Sequence, residues 1–270
     1  MLEDPYREGD TVVRGRTIAF AEYGDFEGIP VVAWPGNPGS RFGFGWARMW
    51  ARHFGVRLLL ADRPGMGRSD PDSKRTVAST ARDICEIAAS IGYETFAVIG
   101  NSSGGPYALA CAAIAPDRVR RVAIVDGVGH MQGSGAHVGM SESNDEFWRR
   151  APLAPDATAD VFERILREAP TRDIHPERKL DIQEAGRQGA ALLAFDAYVI
   201  TQDWDFRLQD IVAPVDLWHG ALDDDIPFVQ AQRLADQIEK VTLHVWPRSH
   251  HHMPPEAMPD VYSCLLSPRP

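Results

Sequence analysis

The chain has 270 residues, of which 44% are hydrophobic and 24% are charged, and its formal net charge is −10 at pH 7. These proportions are those of an ordinary globular protein, so they exclude a disordered or collagen-like chain, and the length suits one α/β domain. A nucleic-acid-binding surface requires clustered basic residues, which this acidic composition does not favour. We therefore expect no nucleic-acid partner.

Targeting and redox signals are sparse along the sequence. The first ten residues contain neither a basic segment nor an apolar core, so no signal peptide is predicted. Apolar runs such as residues 56–61 are too short to cross a bilayer. Cys85, Cys111 and Cys264 form neither an even disulfide framework nor a metal-type spacing. We therefore expect a cytoplasmic protein with no membrane partner.

Strand patterns begin near the N-terminus. Residues 11–14 and 17–23 alternate polar and apolar side chains around Gly15, which predicts an antiparallel pair of strands. Short, continuous apolar runs follow, and such runs are typical of strands covered on both faces in a parallel sheet. They are residues 30–34, 56–61, 95–99, 121–125, 214–218 and 241–246.

Helical patterns separate these runs. The main segments with helical periodicity are residues 41–53, 76–91 and 228–239. This alternation predicts an α/β fold with a doubly wound, mostly parallel sheet. Residues 127–207 contain only helix-like stretches, several of them bounded by prolines. We predict a core domain formed by residues 1–126 and 208–270, with residues 127–207 inserted as a helical lid over the carboxyl ends of the strands.

The strongest chemical signal is the sequence Gly-Asn-Ser-Ser-Gly at residues 100–104, which follows an apolar strand and precedes an alanine-rich helix. A G-x-S-x-G sequence in this setting is typical of a nucleophile elbow, a tight turn that lifts the central serine clear of the sheet. Ser102 is therefore the predicted nucleophile. Ser103 is the alternative, although it lies one residue out of register with the glycines. The backbone N–H of Ser103 would stabilise an oxyanion.

With this elbow the chain resembles the α/β-hydrolase superfamily over nearly its whole length. Further segments similar to that family are WPGNPGS at 34–40, DRPGMGRS at 62–69 and GALDDDIP at 220–227. The resemblance implies an α/β-hydrolase fold and a catalytic Ser-His-Asp triad. It also implies that the backbone N–H of Asn37 is the second oxyanion donor. We interpret segment 62–69 as a structural turn.

One position in the first of these segments departs from the family pattern. Pro35 stands where the family usually has a histidine, and proline donates no backbone hydrogen bond and stiffens the chain. This departure, together with His250 in the place of the family's usual glycine, keeps open a non-hydrolytic use of the same residues, as a lyase or cyclase. A non-catalytic binding protein is the alternative from another class, because a fold does not fix a function.

The resemblance also supplies the candidate acid. Asp223 occupies the family's acid position, and Asp224 and Asp225 are expected to face solvent. A buried aspartate would orient the imidazole and stabilise its protonated form. Asp126, which follows the preceding strand, remains the alternative acid.

Three adjacent histidines follow the last strand. The family pattern selects His251, four residues after Pro247, as the base, and it places His250 where a glycine is usual. His250 and His252 are expected at the surface or behind the site. A metal site is not expected, because neighbouring side chains in an extended segment point in opposite directions.

Together these residues predict a serine hydrolase that acts on a small or medium, largely apolar small-molecule substrate containing an ester, thioester, lactone or amide bond. The chemistry requires neither a metal nor an organic cofactor. Aromatic and apolar side chains in or near the lid are candidates for the substrate pocket. They are His130, Met131, Phe147, Trp148, Tyr198 and Trp204.

Overall fold

The computed structural model describes residues 5–133, 135–251 and 255–267. Within these ranges one sheet has the strand order β1-β2-β4-β3-β5-β6-β7-β8. The strands are β1 Arg7–Val13, β2 Arg16–Gly24, β3 Ile29–Trp34, β4 Val56–Ala61, β5 Phe96–Asn101, β6 Val119–Val125, β7 Val215–Gly220 and β8 Val241–Trp246. The helices are α1 Gly45–Ala51, α2 Val77–Ser90, α3 Gly105–Ile114, α4 Glu142–Arg150, α5 Ala159–Glu168, α6 Pro176–Ala185, α7 Ala190–Thr201, α8 Val229–Ala235 and α9 Met258–Leu265.

The sheet is mostly parallel, as the sequence predicted. β2 runs antiparallel to both β1 and β4, and every other pair of neighbours is parallel. Each continuous apolar run coincides with one strand of this sheet. β8 differs from the expectation of a strand covered on both faces, because its residues are half-buried or exposed. It is the last strand of the sheet, so β7 pairs with one of its sides and the other side has no strand beside it among the described residues.

Helices cover both faces of the sheet. The larger hydrophobic cluster joins the sheet to α2, α3 and α8, and the smaller one joins it to α1 and α9. The predicted helix at 41–53 is shorter than expected, because α1 begins only at Gly45 after Phe44, whose φ is 59°. Cys85 and Cys111 are buried free thiols on α2 and α3.

The chain between β6 and β7 forms α4, α5, α6 and α7, and it contains no strand in the described ranges 127–133 and 135–207. Contacts from α7 and the residues before it reach the loops that follow β3 and β4. Asn37 Nδ2 donates to Leu193 O at 2.8 Å, and Gln188 Nε2 donates to Ser69 O at 2.7 Å. The insertion therefore contacts the carboxyl edge of the sheet. No helix in the described ranges combines the length and the apolar character needed to span a bilayer.

The turn between β5 and α3 depends on close backbone packing. A Cβ on Gly100 would lie 2.7 Å from the carbonyl oxygen of Gly104 and 2.8 Å from Ala108 Cβ. A Cβ on Gly104 would overlap the carbonyl oxygen of Trp34 at the end of β3. Both glycines are therefore required sterically.

Gly104→Ala is expected to destabilise the protein by more than about 3 kcal/mol, because the backbone of β3 has no room to move away from the new methyl group. Thermal unfolding followed by circular dichroism measures the change. Gly9→Ala is the control, because its Cβ would lie 3.8 Å from the Phe20 ring in ordinary contact. The control should change stability by no more than about 1 kcal/mol. Equal melting temperatures for the two variants would contradict this account of the turn.

Candidate active site

Ser102 lies at the turn between β5 and α3, at the carboxyl edge of the sheet. Its φ of 52° is in the left-handed region, which is strained for a residue with a side chain. This conformation presents the hydroxyl to the loop after β8, where Ser102 Oγ lies 3.0 Å from His251 Nε2. The predicted nucleophile and base are therefore within hydrogen-bonding distance.

The imidazole of His251 is held on its other side by Asp223. His251 Nδ1 lies 2.8 Å from Asp223 Oδ2. The second oxygen, Asp223 Oδ1, accepts the backbone N–H groups of Asp225 at 3.0 Å and Ile226 at 2.8 Å. A charged carboxylate beside Nδ1 favours the tautomer of His251 that has its proton on Nδ1, and in this tautomer Nε2 can accept a proton from Ser102.

The electrostatics of this pair favour a charged aspartate and a basic imidazole. Burial raises the pKa of Asp223, but hydrogen bonds from His219 and His251 outweigh it and hold the pKa below its usual range. Burial lowers the pKa of His251, but the hydrogen bond and the charge of Asp223 outweigh it, so the pKa lies above its ordinary value. Asp126 and Asp225 add to this increase. The site therefore stabilises the protonated imidazole that a general base becomes.

The alternative serine and histidines are placed differently. Ser103 Oγ is buried and has no hydrogen-bond partner among the described residues. The side chain of His250 is exposed, in line with the expected surface position. His252 lies outside the described residues. Of the candidate hydroxyl and imidazole groups that the structure describes, Ser102 and His251 are the ones it brings together.

The acidic loop differs from the expectation at one position. Asp224 is exposed, as expected, but Asp225 is half-buried and accepts a hydrogen bond from Asn144 of α4. The expectation that Asp225 faces solvent was therefore wrong, because the sequence pattern did not reveal that α4 packs against this loop. Ser141 N donates to Asp224 O at 2.8 Å, which adds a second contact between the insertion and the loop.

Asp126, the alternative acid, is a buried carboxylate just after β6, and its charge also acts on His251. Its Oδ1 accepts the backbone N–H of Gly220 at 2.9 Å, while its Oδ2 is buried and has no hydrogen-bond partner among the described residues. His219 lies between the two acids, with Nε2 2.7 Å from Ile226 O and 3.3 Å from Asp223 Oδ2. Sequence reasoning missed His219. Its position at the carboxyl end of β7, directly before the loop that contains Asp223, could have indicated that it lies near the site.

The loop after β3 passes beside the serine. A Cβ on Gly36 would lie 3.2 Å from Ser102 Cβ, so the backbone at Gly36 and Asn37 is adjacent to the hydroxyl. The carbonyl of Pro35 accepts Arg63 Nη1 at 2.7 Å, and the carbonyl of Gly36 accepts Arg63 Nη2 at 3.1 Å. Arg63 belongs to the segment that we interpreted as a structural turn. Its role at this loop was missed, although β3 and β4 are neighbours and their loops share one edge.

The residues predicted for the substrate pocket contribute to the core beneath the insertion. Met131, Trp148 and Trp204 are buried in the larger hydrophobic cluster, and Phe147 and Tyr198 pack against it. The ring of His130 lies 3.9 Å from that of Trp204. These contacts place the aromatic groups at the base of the insertion, and their role in binding a substrate remains a prediction.

Residues 31–263 match the sequence model of the alpha/beta hydrolase family. The chain belongs to this family. Among related sequences, a non-heme chloroperoxidase of Streptomyces lividans is 27% identical over 90% of this chain and 92% of the relative. A putative carbamate hydrolase of Variovorax paradoxus is 29% identical over 73% of this chain and 75% of the relative.

Solved structures of other family members share the fold of this alpha/beta hydrolase. An esterase of Exiguobacterium antarcticum superposes with a TM-score of 0.72 and 21% identity, covering 94% of this chain and 96% of the other. An enol-lactonase of Burkholderia xenovorans superposes with a TM-score of 0.71 and 19% identity, covering 96% of this chain and 100% of the other. At these identities the likeness establishes the fold and leaves the substrate open.

In this alpha/beta hydrolase, three possible metal ligands lie close together near the carboxyl ends of β6 and β7. Donor atoms of Asp126, His219 and Asp223 lie within 4.8 Å of one another. Asp223 already accepts hydrogen bonds from two backbone N–H groups and from His251, and Asp126 accepts one from Gly220. These bonds account for the proximity of the acids without a bound ion.

Asp126→Asn is expected to stabilise this hydrolase more at high pH than at low pH. Burial raises the pKa of Asp126 from 3.8 to about 6, while His219 and the N–H of Gly220 oppose the increase. A raised folded-state pKa means that stability is lost as the pH rises from the unfolded value through the folded one. Asparagine avoids that loss, so it should gain about 1 to 3 kcal/mol at about pH 8 and little at about pH 4.

Melting temperatures of the Asp126→Asn variant and the unaltered protein, measured across that pH range, give the comparison. Asp224→Asn is the control, because Asp224 is exposed and should show no such dependence. A gain for Asp126→Asn that is independent of pH would contradict the proposed ionisation.

Proposed function

We propose that this protein is a serine hydrolase that cleaves an ester, thioester, lactone or amide bond, with Ser102 as nucleophile, His251 as base and Asp223 as acid. The observation that carries the proposal is the continuous hydrogen-bonded chain from Ser102 Oγ through His251 to Asp223 Oδ2, with distances of 3.0 Å and 2.8 Å. A serine hydroxyl is a weak nucleophile unless an adjacent base accepts its proton. This arrangement supplies that base.

The proposed reaction proceeds in two halves. In the first, Ser102 Oγ attacks the substrate carbonyl carbon while His251 Nε2 takes the hydroxyl proton. The tetrahedral intermediate then collapses as the imidazolium donates that proton to the leaving group, which leaves an acyl ester on Ser102. In the second half, His251 takes a proton from water, the hydroxide attacks the acyl carbon, and Ser102 regains its proton as the acid leaves.

Backbone N–H groups are proposed to stabilise the negative oxygen of both intermediates. The N–H of Ser103 lies in the first turn after the strand, where backbone donors have no partner within the helix. The N–H of Asn37 lies in the loop that passes beside Ser102. Two such donors held in place before the reaction stabilise charge without reorganising, which is the main advantage of an oxyanion hole.

The proposed substrate is small to medium in size and largely apolar. The aromatic residues of the insertion belong to the larger hydrophobic cluster or pack against it. The insertion also contacts loops at the carboxyl edge of the sheet, where open α/β sheets bind ligands. The names of the relatives, which include an esterase, an enol-lactonase and a putative carbamate hydrolase, support hydrolysis at an acyl carbon. We propose His130, Met131, Phe147, Trp148, Tyr198 and Trp204 as the pocket's candidate lining.

Ser102→Ala is expected to abolish hydrolysis of a p-nitrophenyl ester, with a loss of about 10⁶ in kcat, because it removes the hydroxyl that lies 3.0 Å from His251 Nε2. A fluorophosphonate probe should label the unaltered protein and leave this variant unlabelled. Ser103→Ala is the matched control, since its hydroxyl is buried without a partner, and it should keep both properties. An unaltered protein that the probe does not label would instead favour a non-catalytic binding protein.

Asp223→Asn is expected to lower kcat by about 10⁴, because the amide no longer fixes the tautomer of His251 or supports its positive charge. Steady-state kinetics on the same ester gives the value. Asp224→Asn changes an exposed neighbour in the same loop and should remain near the unaltered rate. A near-normal rate for Asp223→Asn together with a severe loss for Asp126→Asn would move the acid to the end of β6.

A further inference from the structure

A buried ion pair connects the helical insertion to the loop beside Ser102. Asp196 of α7 is fully buried, and its Oδ2 lies 3.3 Å from Nη2 of Arg63, whose side chain is 1% exposed. The same guanidinium donates to the carbonyl oxygens of Pro35 and Gly36. Arg63 therefore bridges a helix of the insertion and the loop that carries the proposed oxyanion donor.

The contact with Gly36 fixes the direction of the next N–H. The peptide bond between Gly36 and Asn37 is planar and trans, so its carbonyl and its N–H point in opposite directions. Arg63 holds this carbonyl at 3.1 Å from one side. The N–H of Asn37 therefore projects from the opposite side of the same peptide plane. Gly36 itself lies close enough to Ser102 for a Cβ to come within 3.2 Å of it.

A second set of contacts holds the other carboxylate oxygen of Asp196. Its Oδ1 accepts Tyr107 Oη at 2.7 Å and lies 2.9 Å from Arg75 Nη2. Arg75 Nη1 also donates to Tyr107 Oη at 2.9 Å. The Tyr107 ring stacks on Trp34, the last residue of β3, with ring centres 5.2 Å apart. Asp196 thus has a fixed position from which it orients Arg63.

We propose that Arg63 and Asp196 are positioning residues for the oxyanion hole, through which α7 of the insertion sets the direction of the Asn37 N–H. This inference rests on the proposed hydrolase function. Neither side chain touches the reacting atoms, and each acts through the Gly36 carbonyl. A second bond in the same place supports the coupling, because Asn37 Nδ2 donates to Leu193 O of α7 at 2.8 Å.

The chemistry of arginine explains why this position needs a guanidinium. Its planar fork presents several N–H donors in fixed directions, so one side chain can hold two successive carbonyls and an acid at once. A lysine keeps the positive charge but offers one nitrogen and cannot hold all three groups. Arg63→Lys should therefore preserve most of the ion pair with Asp196 while releasing the peptide group between Gly36 and Asn37.

The test compares Arg63→Lys with Arg75→Lys. Both arginines are buried and both contact Asp196. Of the two, Arg63 is the one that donates to the carbonyls of Pro35 and Gly36 in the loop after β3. Arg63→Lys is expected to lower kcat on a p-nitrophenyl ester by about 10-fold to 100-fold with little change in KM, since misplacing one oxyanion donor costs less than its removal. Arg75→Lys should keep kcat. Binding of a trifluoromethyl ketone, whose adduct oxygen occupies the oxyanion hole, should weaken in Arg63→Lys by a similar factor.

An unchanged kcat in a folded Arg63→Lys variant would overturn the proposal, and so would an equal loss in Arg75→Lys. If Arg63→Lys does not fold, Asp196→Asn replaces it, because the amide keeps the shape and removes the charge that orients Arg63. A folded Asp196→Asn variant should lose kcat with KM preserved, and an unchanged kcat would again overturn the proposal.

Failure of the proposed function is recognised separately, by the absence of both ester hydrolysis and probe labelling in the unaltered protein. The environment of the Asn37 amide is then followed by its NMR chemical shift. Arg63→Lys should move that signal and Arg75→Lys should not. Equal shifts in both variants, or none in either, would contradict the positioning role without reference to activity.

Discussion

The close approach of the Gly104 backbone to the carbonyl of Trp34 is the constraint on which the site depends. It brings the start of α3 against the end of β3, and only a residue without a Cβ permits that distance. The strained turn at Ser102 follows, since the chain must reverse from strand to helix within this space. The same contact sets the loop after β3 beside the serine hydroxyl.

Around this turn, the remaining groups are held by partners on different elements. The loop after β7 fixes Asp223 through backbone N–H groups, and the chain after β8 delivers His251 to it. Arg63, from the loop after β4, holds the carbonyls beside Ser102. Because neighbouring parallel strands end at the same edge, residues that are distant in the sequence meet there, and a small displacement of one loop changes several distances together.

Much of this arrangement could be predicted from the sequence, and the limits have physical causes. The strands and the turn at Ser102 are local, so apolar runs and glycine spacing indicated them directly. Asp223 and His251 were reached through the family resemblance, because nothing local separates His251 from His250. The pairing of Arg63 with Asp196 depends on how α7 folds back onto the sheet, and no local pattern encodes that contact.

The contacts of the insertion have a consequence for recombining this chain with its relatives. The insertion contacts the loop after β7 through Asn144. It contacts Arg63, in the loop after β4, through Asp196, and Asn37, in the loop after β3, through the carbonyl of Leu193. Exchange of residues 127–207 for a segment without an acid in the place of Asp196 would therefore leave Arg63 buried without its carboxylate, which is costly in a low-dielectric interior. A chimera that keeps this buried ion pair must exchange Arg63 together with residues 127–207. The segment that can be exchanged between relatives is therefore larger than the insertion itself.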